Sequence, residues 1–80
     1  MTKVELFIEL VQRASKIVES DASWSTKYGF IFSEDISGKI KETGVEIDYY
    51  DPDTSYKEDV LAYVKALNEK ADDLKKALLE

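Results

Sequence analysis

Apolar side chains along the chain fall into two long stripes with helical spacing, separated by two short alternating runs. Between Thr2 and Ser20 the stripe is Val4, Phe7, Val11, Ala14 and Val18, widened by Ile8, Leu10 and Ile17. Steps of three and four place these residues on one side of an amphipathic helix. Thr2 stands where an N-cap belongs, and Ser20-Asp21 ends the pattern. The second stripe runs through Val60, Val64, Leu67, Ala71, Leu74 and Leu78, broadened by Leu61, Tyr63, Ala66 and Ala77. It predicts a helix from Tyr56 to about Leu79. Ser55 and Glu58 stand at capping-box spacing at its start.

The middle of the chain alternates instead. Trp24, Thr26, Tyr28, Phe30 and Phe32 occupy every second position, and aromatics in period two predict a strand over 24–32. Val45, Ile47 and Tyr49 alternate with Glu46, Asp48 and Tyr50, which predicts a second, half-buried strand with an acidic outer side. Asp51-Pro52-Asp53 breaks it. Ser33–Gly44 admits two readings. As a helix it has Ser33 at the N-cap, Ile36 and Ile40 one turn apart and Gly44 past the end. As a strand it runs Ile36–Glu42 in a three-stranded meander. The helix agrees with more signals and is favoured. The expected architecture is therefore α+β: two long helices, N- and C-terminal, packed on a small two- or three-stranded sheet, with a short third helix at 33–43.

Length allows only one domain, residues 1–80. A chain this short buries about 60–65% of its unfolded surface, so self-association is a natural way to add buried area. A helix of about 24 residues is about 36 Å long, against a body about 30 Å across. Val64, Leu67, Ala71, Leu74 and Leu78 are thus also candidates for an oligomer seam, with an intramolecular helix pair as the alternative.

The absence of Cys and His removes thiol chemistry, disulfides and the usual general base and metal ligand. The apolar run Val4–Val11 carries Glu5 and Glu9, so it is neither a leader nor a membrane span, and the cytoplasm is expected. Asp51, Asp53 and Ser55 sit at EF-hand positions. However, Tyr56 stands where that loop needs Gly, and Ala62 where it needs a bidentate Glu. Adjacent acid pairs such as Glu34-Asp35 and Glu58-Asp59 diverge by about 100° on a helix and do not share a proton. No phosphate loop or Ser-Lys motif is present. An enzyme is not expected, and no cofactor is implied.

Charge gives the sharpest functional signal. The formal net charge is −6. Residues 1–33 and 60–80 each sum to zero, so the excess lies wholly in 34–59, with seven acids against Lys57 from Glu42 onward. Tyr49, Tyr50 and Tyr56 lie among these carboxylates, and Tyr suits interfaces because it joins a rigid apolar ring to a polar tip. Direct nucleic-acid binding fails the charge test. The expectation is a surface of Glu46, Asp48, Tyr50, Asp51, Asp53, Tyr56 and Asp59 that binds another protein through its basic face. The bland alternative is a solvated face whose acids partly serve the helix dipole. In composition the chain resembles phage-encoded accessory proteins and anti-defence inhibitors, which are short, acidic and Cys-free. That resemblance covers no motif. The charged surface itself leads to the expectation of a DNA mimic: carboxylates at intervals resembling phosphates would occlude the basic groove of a nucleic-acid-handling enzyme. The competing class is an assembly protein that dimerises through its C-terminal helix.

Overall fold

The structure, a computed structural model, describes residues 2–51 and 54–79. Helix α1 spans Lys3–Glu19, α2 Trp24–Ile31, α3 Lys39–Glu42 and α4 Tyr56–Leu79, with a π-helical turn, Glu34–Gly38, leading into α3. The expected α+β sheet is not present: among the described residues there is no strand.

The two long helices form where the stripes predict them, and their caps explain their starts. The Thr2 hydroxyl accepts the Glu5 amide at 3.1 Å while the Glu5 carboxylate accepts the Thr2 amide at 3.3 Å, closing a capping box. At α4 the Ser55 hydroxyl accepts the Glu58 amide at 3.2 Å. The Glu58 carboxylate turns to the Thr54 hydroxyl instead of completing the reciprocal bond.

The segment read as the first strand is α2. Ser23 caps it, its hydroxyl accepting the Thr26 amide at 3.2 Å. Trp24, Lys27, Tyr28, Ile31 and Phe32 then share the inner side at helical spacing, while Ser25, Thr26 and Phe30 face outward. Phe30 is 58% exposed and Ile31 fully buried, the reverse of the strand reading. Lys27 is buried too. Its ammonium donates to the Val18 carbonyl at 2.7 Å and lies 4.1 Å from the Trp24 ring centre. It thereby satisfies a carbonyl in the last turn of α1, where the helix dipole is negative. The Lys27 stem packs as an apolar residue while its charge is held.

The favoured helical reading of Ser33–Gly44 agrees with the π turn and α3, which bury Ile36 and Ile40. Gly44 follows α3 with φ +75°, a left-handed position that suits glycine, and its amide donates to the Lys41 carbonyl at 3.1 Å.

Residues 45–50 carry the predicted alternation without the predicted pairing. Val45, Ile47 and Tyr49 are half-buried, and Glu46, Asp48 and Tyr50 are exposed. With 24–32 helical, no neighbouring strand remains to pair with among the described residues, so the segment lies on the helical core without regular structure.

The core joins Phe7, Leu10, Val11 and Ala14 of α1 to Ile31, Ile36, Ile40 and the inner side of α4. Each large side chain removed from water there contributes about 1.5–3 kcal/mol. The inner side of α4 includes Val64, Leu67 and Ala71, all buried within the single chain. Three positions of the suggested seam are thus occupied intramolecularly. Leu74 packs partly against the core, and Leu78 remains 64% exposed. The molecule measures 38 × 22 × 21 Å with a radius of gyration of 12.4 Å, and α4, about 36 Å long at its usual rise, matches the long dimension.

Candidate functional site

Residues 46–48 pass beside the middle of α4 and leave a groove of about 490 Å³ between them. Glu46, Ile47 and Asp48 form one wall. Ala66, Glu69, Lys70 and Asp73 form the other, at the 3–4 spacing of one helix face. Four carboxylates therefore meet one ammonium, Lys70. Ile47 turns toward the core, which fixes Glu46 and Asp48 on the outer side by simple alternation.

The remaining predicted site residues divide around this groove. Tyr50 is 85% exposed and Asp51 is exposed. Asp53 lies outside the described residues. Tyr56 is half-exposed, its ring 4.9 Å from that of Tyr28. Asp59 is buried, so it is not part of the exposed field expected of it. Tyr56 and Asp59 instead line a second hollow of about 420 Å³ with Tyr28, Thr54 and Ser55. Four of the seven are thus placed at two hollows. Glu46 and Asp48 belong to the acidic groove, and Tyr56 and Asp59 to the hollow at the start of α4.

Aromatic contacts fix residues 45–50 against α4. Tyr49 packs edge-on against Tyr63 of α4 with centroids 5.0 Å apart, and Tyr63 stacks on Phe32 at 4.8 Å. Phe32 in turn lies 4.7 Å from Tyr28. Ring pairs at these separations add to plain burial. The Tyr49 hydroxyl is buried and makes no hydrogen bond among the described residues. Desolvation, reinforced by the negative charges of Asp51 and Asp59, pushes its pKa up to about 12. Burial also raises that of Tyr63, against the opposing pull of a hydrogen bond with Ser37.

Charge arithmetic by segment hides Glu69 and Asp73, because Lys65, Lys70, Lys75 and Lys76 cancel the acids of 60–80. The available signal is positional: Glu69 and Asp73 are one turn apart on the flank of α4 marked by Ala66.

Among the described residues, no group of three or more acidic side chains is arranged to hold a metal ion. Among the described residues, no helix is long and apolar enough to cross a membrane. No family model, curated protein or solved structure matches this chain.

Proposed function

We propose that this chain is a small protein-binding module that receives a basic element of another protein in its acidic groove, and acts by binding and not by catalysis. The observation that supports this most is the meeting of Glu46 and Asp48 with Glu69 and Asp73 around one concavity, across a stretch of chain that includes the whole linker to α4. A negative concave surface speeds encounter with a cationic partner and selects against acidic ones. Shape narrows the reading. A DNA mimic must enter a partner's groove and so presents a convex acidic face, whereas here the carboxylates line a hollow. The fitting partner is a projecting basic arm, tail or loop.

The test is a titration of the isotope-labelled protein with a short Lys-rich peptide at low salt. Shift changes should centre on Glu46, Asp48, Glu69 and Asp73. Combining Glu46→Lys with Glu69→Lys should weaken binding at least tenfold while leaving the helical circular dichroism intact. Diffuse shifts spread over the surface, or equal binding by the double variant, would remove the reading.

A second reading, self-association, rests on Leu78, whose exposure leaves an apolar contact at the end of α4. It predicts a concentration-dependent mass that falls to that of a monomer on Leu78→Asp.

A further inference from the structure

Extended backbone normally satisfies its amides by pairing with a neighbouring strand. Residues 45–50 have no such neighbour among the described residues, and their two amide bonds are local. The Val45 amide donates to the Thr43 hydroxyl at 3.3 Å, and the Tyr49 amide to the Ile47 carbonyl at 3.0 Å. The amides of Glu46, Ile47, Asp48 and Tyr50 find no partner among the described residues. This unpaired run borders the groove through three consecutive residues. Burial alternates along it, with Val45, Ile47 and Tyr49 inward and Glu46, Asp48 and Tyr50 outward as at a sheet edge, and the Tyr49–Ile47 bond closes one tight turn at Asp48.

We propose that 45–50 is a docking edge for strand addition, and that its occupant is an extended, basic peptide segment of a partner protein. Main-chain pairing supplies the attachment in this mode of recognition, and side chains at alternate positions supply the choice. Charge decides the occupant. A second copy of this segment would set Glu46 and Asp48 against like charges, which is unfavourable directly across a strand pair. A peptide with Lys or Arg at every second position meets Glu46 and Asp48 across the pair, and it lies within reach of the carboxylates on the α4 wall. This inference rests on the acidic-groove reading and adds the conformation of the bound element.

The experiment compares two peptides of equal charge, one alternating Lys with Val and one helix-forming with Lys and Ala. An acidic peptide serves as control. Hydrogen exchange and chemical shifts are read at 45–50. The extended peptide should bind at least tenfold more tightly than the helical one and slow exchange at Glu46, Ile47, Asp48 or Tyr50. Asp48→Pro, which removes an amide that makes no internal bond, should cost at least tenfold more affinity than Asp48→Asn, which removes only the charge. Circular dichroism confirms that both variants fold. Equal binding of the two basic peptides without amide protection overturns strand addition and leaves the acidic groove standing. Equal losses in the two variants do the same. Binding by neither basic peptide, or equally by the acidic one, overturns both readings. Protection of these amides in a dimer of the free protein replaces the partner peptide with a second copy and overturns the proposed occupant.

Discussion

A phenol taken out of water resists ionisation, and carboxylates nearby add to that resistance. Tyr49 meets both conditions: its hydroxyl is buried, and Asp51 and Asp59 act on it, raising its pKa to about 12 from 10.0. The folded state therefore keeps the proton more tightly than the unfolded chain does. By linkage, the stabilising contribution is fully present below pH 10 and is lost as pH climbs through the folded-state value near 12. Tyr63, raised in the same direction, contributes in the same sense. Denaturation midpoints measured from pH 8 to 12 should fall steeply above pH 10 for the wild type and less steeply for Tyr49→Phe. At neutral pH the same substitution removes a buried hydroxyl that has no hydrogen-bond partner among the described residues. It should leave stability unchanged or raise it by up to about 1 kcal/mol. A variant with an unaltered alkaline slope would show that the hydroxyl is in contact with solvent.

Short elements are where physical competition is closest, and α2 demonstrates it. Trp24, Tyr28 and Phe32 are spaced by four, a distance common to a helix turn and to every second strand position. The deciding residues are therefore Lys27 and Ile31 on one reading, and Thr26 and Phe30 on the other. Lys27 weighs against the helix only while its charge is assumed to need water, and the Val18 carbonyl and Trp24 ring replace that water. The structure predicts that Phe30→Ser changes unfolding free energy by no more than about 0.5 kcal/mol, and that Ile31→Ala costs about 2–4 kcal/mol. Urea denaturation checks both, and a strand would reverse the order. By contrast α1 and α4 were legible, because four or more turns of stripe and a cap signal at each start leave little room for another period. The alternation at 45–50 was also legible. What a single segment does not encode is whether a partner strand exists, since that depends on the state of a segment some twenty residues earlier.

Over the whole molecule, tertiary folding redistributes charge that is balanced by segment. Glu46 and Asp48 were visible as members of an acidic run, but Glu69 and Asp73 join them only because residues 46–48 lie beside the middle of α4. The same packing decides what the apolar stripe of α4 is for. Its inner residues serve α1, α2 and the 45–50 segment of the same chain, so an acid placed among them attacks folding, not assembly. Leu67 is fully buried, and Leu67→Asp would both remove its packing and strand a carboxylate in the core. Such a change costs about 3–5 kcal/mol or more. A domain of this size has about 4–12 kcal/mol of total stability at the usual 0.05–0.15 kcal/mol per residue. The expected result is a protein largely or wholly without a cooperative thermal transition. Leu78→Asp, at a position 64% exposed, should shift unfolding free energy by about 0.5 kcal/mol or less. Calorimetry and light scattering on the two variants separate the cases. A Leu67→Asp chain that stays folded and merely dissociates from a larger species would mean that this stripe faces another molecule, and that the intramolecular packing is not the one formed in solution.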